Sequence, residues 1–593
     1  MGRHLANASF PGRNCVLLTI RGTLPAVILG LALGTALCAG QDRAEMRDAY
    51  LASCAAGYSD EHQMLGTPFR SPGYHSQVAE GTWVHPTRQS LAYAVALVDR
   101  GEVEDLARAE KIIRKVLTLQ VTDANHDYYG IWPWLLEEPV DKMAPPDRNW
   151  ADFLGAQIAV LLKDYPKRLS GDLVEAMRTS LRHAAVEIRR RNVQPSYTNI
   201  AIMGGGVCAA AGELLGDDDL LAYGRDRLQR CVADAAYHGS FNEYNSPTYT
   251  MVALNEAERV LQLVEDEAAR TAAEQLRRAA WQIIADSYHP ATGQWAGPHS
   301  RAYSDLILPS LADYLEEQAG VRIAARHSGN GRPVTYDGLR HLPCPDELRE
   351  RFARLPCDPL EIRRTFIRKE DEADSIRGTT WHTVDACLGS VNRSMMWTQR
   401  RTLIGYWRTD DEPVVVFRQR FLHDGEDFSS IGVRNDQRGP RVLSLFEPLR
   451  NHGSWHPTLD RPENGVFRAM DFRVRYQLAG RNVTATKLDE QTFELAAGER
   501  RAVVHVLPGR FDGRDVVWEC GVKDGLAVVD GICYGGAPKD FDFTTFDDVR
   551  LAVAIELLGE NEPPATGPAW LDDKDTTDAA QWCVGEETLR VVR

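Results

Sequence analysis

One unit repeats between about residue 83 and residue 318 and restricts the fold more than any other feature: an apolar helix followed by a charged one. The segments SLAYAVALVDRG, WADFLGAQIAVLLKDY, IAIMGGGVCAAAGELLG and YTMVALNEAERVLQLVEDE carry hydrophobic residues at helical spacing. Each precedes a more polar helix: DLARAEKIIRKVLTLQ, SGDLVEAMRTSLRHAAVEIRRR, DDDLLAYGRDRLQRCVADAAYH and EAARTAAEQLRRAAWQIIADSYH. The pair recurs about every 50 residues. A helix apolar all round needs neighbours all round, whereas a helix with one apolar stripe turns its other faces to water. A ring of stacked hairpins meets both demands, so the spacing predicts an incomplete (α/α) toroid.

Beyond GNGRPVTYDG and the proline-bearing stretch from Pro343 to Pro359 the period changes. Short β-branched or alternating runs follow (RTLIGYW, PVVVFRQRFL, RVLSLFEPL, FRVRYQLAG, RAVVHVLPG, GLAVVDGICY, DVRLAVAIELLG), divided by Gly, Asp and Pro turns. They predict an antiparallel β-sandwich, and the segregation of helices from strands makes the chain an α+β multidomain protein. The expected order is a signal peptide at 1–40, the toroid as catalytic domain at 41–325, a linker at 326–361 and the sandwich at 362–593. A length of 593 residues, about four units of roughly 150, has room for this. No phosphate-binding glycine loop or dinucleotide fingerprint occurs, and Gly204 to Gly206 reads as close helix packing.

The first 40 residues hold Arg3, Arg13 and Arg21, no acid, and the apolar run from Leu24 to Ala39. This pattern predicts a secretory signal cleaved near Ala39 or Gly40, and hence a secreted or periplasmic protein with no stable membrane insertion of the mature chain. A signal anchor is the alternative. Removing three arginines takes the formal charge from −16 to −19. A surface of that sign repels polyanions at long range and excludes general nucleic-acid binding. Nine cysteines remain, an odd number without a zinc or disulfide-framework pattern; Cys344 with Cys357 and Cys520 with Cys533 are either local disulfides or isolated thiols. No metal or cofactor is expected, and the sequence leaves the oligomeric state open.

Each inner helix is entered from a short polar and aromatic loop: WVHP at 83–86, DRNW at 147–150, SYTN at 196–199, NEYNSP at 242–247 and GPHSRAYSD at 297–305. In a ring of hairpins these starts share one rim. His85, Asn149, Asn199, Asn245, His299, Arg301 and Tyr303 are therefore expected around one cleft, although an Asn before an apolar run also serves as a plain helix cap. His238, ending an outer helix, either caps it or turns inward. HDYYGIWPW at 126–134 adds Tyr128, Tyr129, Trp132 and Trp134, with Trp150 beside them. Such rings either stack on sugar faces or pack into a core.

The segments FNEYNSPTY (241–249), SYTN, GPHSRAYSD and DACLGSVNRSMMWTQRRTLIGYW (385–407) resemble secreted polysaccharide lyases with an (α/α) toroid and β-sandwich layers. The likeness is greatest to polysaccharide lyase family 38, the glucuronan and alginate lyases, with heparinase-like lyases more distant. The resemblance implies β-elimination of a uronic-acid polysaccharide, glucuronan or mannuronate-rich alginate foremost, to a 4,5-unsaturated product. It places Asn199 and Arg301 at the uronate carboxylate, Tyr303 as the proton carrier, and His238 and His299 as rivals for a second catalytic position. Glu243, Tyr244, Asn245, Tyr249, Tyr197, Asn149 and the aromatic set become subsite residues. The chemistry suits these types: carboxylate donors stabilise the charge that develops at C5, and Tyr or His moves protons.

Two rivals stand beside it. A glycoside hydrolase on the same toroid would need paired carboxyls, for which Asp127, Asp152, Glu243 and Asp305 are available. A glycan-binding protein would use the aromatic rim alone. His382 and His423, from the sandwich half, either reach the cleft or end strands.

Overall fold

The structure is a computed structural model that describes residues 34–71, 74–322, 336–450, 453–458, 460–462, 464–571 and 578–593, with side chains from residue 43 onward. Residues 1–46 and 47–593 form two compact units. Of the expected signal, residues 1–33 lie outside the described residues, and helix α1 (Gly34–Ala55) runs through the expected cleavage point. One described helix, Thr198–Leu215, is long and apolar enough to cross a membrane; most of it is buried among its neighbours, as in a core helix.

The second unit begins with four helical hairpins: α2 (Thr87–Arg100) with α3 (Val103–Leu117), α4 (Trp150–Asp164) with α5 (Gly171–Arg191), α6 (Thr198–Leu215) with α7 (Asp218–His238), and α8 (Tyr249–Leu263) with α9 (Glu267–Ser287). α2, α4, α6 and α8 pack side by side in chain order. Fourteen of the 18 residues of α6 are buried against five of the 21 in α7, which distinguishes the inner ring from the outer one. The α6/α7 hairpin is tight because glycines face it: a Cβ on Gly212 would lie 2.4 Å from the Leu221 nitrogen, and one on Gly224 would lie 2.3 Å from the Ala209 nitrogen. Asp217 and Asp266 start α7 and α9 by accepting from the amides of Leu220 and Ala269. α10 (Pro309–Ala319) and α11 (Asp346–Ala353) close the helical region.

The stretch read as a linker is, where described, part of the helical layer. Asp337 pairs with Arg259 of α8 at 2.6 Å, the Cys344 amide bonds the Gln318 carbonyl of α10 at 2.8 Å, and Phe352 packs against Trp281 of α9. Apart from three two-stranded pairs within the helical region, strands begin at Leu360.

Two nine-stranded antiparallel sheets follow. In one, strands 517–523, 526–542, 466–479, 415–423, 403–407, 386–391, 376–382 and 360–367 neighbour one another in that order; the other runs through 393–395, 431–438, 441–448, 549–559, 500–506, 492–497 and 484–487. Phe417, Phe421, Phe428, Phe446, Phe472 and Val553 lie in the core between them. A further three-stranded sheet (569–570, 579–584, 587–592) covers the second sheet through Trp582 and Leu589 against Leu443 and Ala554, a layer the sequence did not indicate. All nine described cysteines are free, so neither local pair is bonded.

The first sheet is buried on both faces where it meets the helices. Leu388, Leu403 and Trp407 point into the sandwich, whereas Cys387, Ile404 and Tyr406 pack with Ala296 of the helical layer. The connection between α9 and α10 lies along it: His299 and Arg401 exchange backbone hydrogen bonds at 3.1 and 3.0 Å, and the Ala302 amide bonds the Gln399 carbonyl at 2.7 Å. Thr380 donates to the Gly297 carbonyl at 2.7 Å, and Gly389 faces the same carbonyl so closely that a Cβ there would lie 1.9 Å from it.

Candidate functional site

The two loops that matter most, 239–248 and 296–308, are locked together by Asn245. Its backbone is left-handed (φ 44°), a conformation Asn tolerates better than most residues. Its Nδ2 donates to the carbonyls of Ala296 (2.9 Å) and Pro298 (2.8 Å), its Oδ1 accepts from Trp295 Nε1 (2.5 Å), and its carbonyl accepts from His299 Nδ1 (2.7 Å). Ser246 Oγ adds a bond to the Arg301 carbonyl at 2.6 Å. Three placements from the sequence are thereby corrected. Asn245 is a buried structural hub. His299 is buried with its Nδ1 on the Asn245 carbonyl, and burial pushes its imidazole down to about 4, which favours the neutral ring. Tyr244 is buried against Phe366, ring centroids 4.3 Å apart, and its hydroxyl accepts from Arg400 at 3.1 Å. Asn245→Ala is expected to cost about 2 kcal/mol, since it leaves buried donors and acceptors unmade; a denaturant midpoint checks this.

With the loops fixed, five side chains converge. Asn199, in the first turn of α6, donates through Nδ2 to Glu243 Oε2 at 2.6 Å. Glu243 Oε1 is buried without a hydrogen-bond partner and lies 3.7 Å from Arg301 Nη1. Arg301 donates through Nη2 to the hydroxyls of Tyr249 (3.0 Å) and Tyr303 (3.3 Å), and through Nε to Gln399 (2.5 Å). The two tyrosine hydroxyls are 2.8 Å apart. Burial pushes the Glu243 carboxyl up although Arg301 and Asn199 oppose it. Burial likewise pushes the Tyr249 phenol up. Tyr303 is half exposed, with 50% of its surface open, so its oxygen is the accessible end of the set.

Four residues that the sequence reading did not assign complete the surroundings. The Arg301 guanidinium lies 4.9 Å from the Trp397 ring centre as well as 4.6 Å from that of Tyr249. His456, from a sandwich loop, meets Trp397 edge-on at 5.1 Å and Tyr74 at 5.9 Å, and burial and Arg301 push it down. Gln399 and Trp397 sit inside the conspicuous segment 385–407. Tyr74 and His456 sit in loops with no periodic signal, and only tertiary structure brings them here.

The remaining expectations divide. Asn149 is not a side-chain cap: it donates to the Tyr197 hydroxyl at 3.2 Å and accepts from Arg191 at 2.7 Å. Tyr197 is partly exposed, and its phenol feels both Glu243 and Arg301. His238 accepts the Arg368 amide on Nδ1 at 2.9 Å and lies 3.6 Å from Asp234, which joins α7 to the first sheet rather than to the five converging side chains. His85 is buried, bonded to Glu137 at 2.5 Å and stacked on His62. Trp132 is a core residue, wholly buried with its Nε1 on the Val116 carbonyl, and leaves the aromatic rim. Trp134 bonds Asp147 and packs against Trp150, whose Nε1 bonds Thr87; both are part-buried. Tyr129 bonds His183 at 2.6 Å, and Tyr128 carries Arg148 on its ring. His382 is wholly buried beside His289, and His423 is bonded to Ser454 and the Arg468 carbonyl; both are structural.

Of the carboxyls offered for a hydrolase, only Glu243 belongs to the five converging side chains. Asp152 is buried, Asp127 is exposed, and Asp305 is held by Arg401 and Arg418. Among the described residues no three His, Cys, Asp or Glu side chains converge as metal donors.

A family model described as a domain of unknown function (DUF8769) matches residues 65–308, a span that contains Asn199, Glu243, Arg301 and Tyr303. No curated protein matches the sequence. Similar solved structures include heparinase III (10% identity, TM-score 0.46, 96% of this chain and 93% of that one) and the chondroitin AC lyase of Streptomyces coelicolor A3 solved with chondroitin sulphate (11%, 0.46, 94% and 85%). A heparan sulfate lyase mutant from Pedobacter heparinus is similar as well (8%, 0.38, 95% and 98%). At these identities and TM-scores the chemistry rests on side-chain geometry alone.

Proposed function

We propose that the protein is a polysaccharide lyase that cleaves a uronic-acid polymer by β-elimination, with glucuronan or mannuronate-rich alginate as the favoured substrate. The observation that supports this reading is Arg301, one guanidinium joined to an accessible tyrosine oxygen on one side and to a buried carboxyl with its amide partner on the other. The substrate carboxylate lies against Asn199 and Arg301, which stabilise the charge arriving there as the C5–H bond breaks. Tyr303, reacting as the phenolate beside Arg301, takes the C5 proton and becomes the neutral phenol. The C4–C5 double bond forms, the C4–O4 bond breaks with its electron pair on O4, and Tyr303 returns a proton to O4.

In glucuronate and mannuronate the C5 hydrogen and O4 share a face, so one tyrosine serves both transfers. The burial of His299 and the structural engagement of His238 support this single-residue path. The negative net charge is compatible with a uronate substrate because recognition is local, through Arg301 with Asn199 and Gln399 beside it. The arginine-bearing, then apolar N-terminal segment supports a secreted or periplasmic location.

Glu243 sets a pH dependence. Ionised, it occupies the donors that the uronate needs; protonated, it releases them and donates to the uronate itself. KM for the polymer is expected to rise as pH increases through the raised Glu243 pKa, and Glu243→Gln is expected to flatten that rise. The defining assay is incubation with glucuronan, polymannuronate, polyguluronate, hyaluronan, chondroitin and heparan sulfate while following ultraviolet absorbance of the unsaturated product. New reducing ends without that absorbance would overturn the lyase in favour of a hydrolase, and retention on a glycan column without cleavage would leave a binding protein.

A further inference from the structure

We propose that Arg191, held by Asn149 beside Tyr197, is a second anion subsite that takes the carboxylate of the uronate adjoining the one cleaved. The inference rests on the lyase reading and deepens it by assigning the neighbouring sugar a contact. Arg191 ends α5, where a cation is favoured by the helix dipole alone. That role does not explain its placement, because its guanidinium crosses to the start of α4 and donates through Nη1 to Asn149 Oδ1 at 2.7 Å. Asn149 stands where a helix cap would stand, yet its side chain makes no cap; it bridges Arg191 to the Tyr197 hydroxyl. Tyr197 in turn lies two residues before Asn199 and within the electrostatic reach of Glu243 and Arg301. Arg191, Asn149 and Tyr197 therefore form a row leading away from the candidate catalytic groups.

The charge balance along that row favours an anion. Glu187 is occupied by Arg148 at 2.5 Å and Arg190 at 2.8 Å. The Asp147 carboxylate accepts from Trp134 Nε1 and the Asn149 amide. The carboxylate nearest Arg191 is Asp152, 3.8 Å away; it is buried, and burial pushes it up to about 7 despite Arg227 and Arg191, so it neutralises Arg191 only in part at neutral pH. Arg191 keeps about a quarter of its side chain exposed (23%), and Tyr197, joined to it through Asn149, is partly exposed as well. A partly exposed cation linked through one amide to a partly exposed tyrosine fits a carboxylate-bearing sugar.

Kinetics on the cleaved polymer and on its shortest cleaved oligosaccharide, with affinity electrophoresis of the full chain in the same polymer, test the subsite. Arg191→Gln is expected to raise KM for the polymer about tenfold, more than for the short substrate, with weaker retardation in the gel. Added salt narrows the difference, Arg191→Lys recovers part of it, and Arg189→Gln, exposed on the same turn, leaves polymer KM at the wild-type value. Unchanged KM and retardation in Arg191→Gln would overturn the proposal, as would a fall in kcat and thermal midpoint without a KM change. If the wild type forms no unsaturated product, retardation alone decides the subsite. A wild type that neither cleaves nor binds any of the uronate polymers removes the lyase reading and the subsite together.

Discussion

Tyr303→Phe is expected to lower kcat on the cleaved polymer by about a thousandfold while leaving the fold intact. Proton transfer by a placed side chain contributes roughly 10²- to 10⁴-fold, and here a single oxygen is asked to remove one proton and return another. The neighbouring tyrosine does not substitute for it. Burial pushes the Tyr249 phenol up, so that group remains a donor, and its hydroxyl is 2.8 Å from that of Tyr303. Arg301 Nη2 donates to the Tyr303 oxygen and the Tyr249 hydroxyl shares a hydrogen bond with it, so both groups border the reacting oxygen. Because Tyr303 is half exposed, loss of its hydroxyl is expected to change stability by no more than about 0.5 kcal/mol. Product absorbance and a thermal melt on the same sample separate the two quantities. Retained turnover would remove the assignment.

Asp305→Ala is expected to destabilise the protein by about 3 kcal/mol. The Asp305 carboxylate is paired with Arg401 and with Arg418 (3.2 Å), two guanidinium groups that are nearly buried, and Arg418 shares Asp427 at 3.2 Å. Removing Asp305 leaves two buried cations with one remaining carboxylate, which costs more than the pair itself contributes. Burial opposes ionisation of Asp305, but Arg418 and Arg401 outweigh it and hold the carboxyl at about 2. A carboxyl lowered from an unfolded value near 4 contributes stability that is complete above that value and lost as pH falls through 2, about 2 kcal/mol in all. Denaturant midpoints between neutral and acid pH are expected to show this loss in the wild type and a smaller one in Asp305→Ala. Turnover is expected to fall as well, because Asp305 lies two residues beyond Tyr303.

The fold was legible because burial pattern and periodicity agree. α6 reads as apolar throughout and is the core helix of the ring; α7 reads as striped and lies outside it. Strand 403–407 shows where that logic fails: LIGYW has no alternation because both of its faces are covered, one by the sandwich and one by the helical layer. Asn199, Arg301 and Tyr303 were legible as loop residues entering inner helices. His299 and Asn245 have the same signature, and only the cross-bonding of their two loops shows that they hold the site rather than line it. His456 and Tyr74 carried no sequence signal, since a loop contact across hundreds of residues leaves no local period.

The backbone ladder between His299 and Arg401, with the Gly389 approach to the Gly297 carbonyl, makes the 296–308 loop a shared edge of two architectures. Arg301 and Tyr303 belong to the helical half by sequence and to the sheet half by support. Neither half then holds this loop in place without the other. Insertions or exchanges between related chains would have to preserve the register of this seam, because the loop that carries Arg301 and Tyr303 takes its position from Arg401 and Gln399.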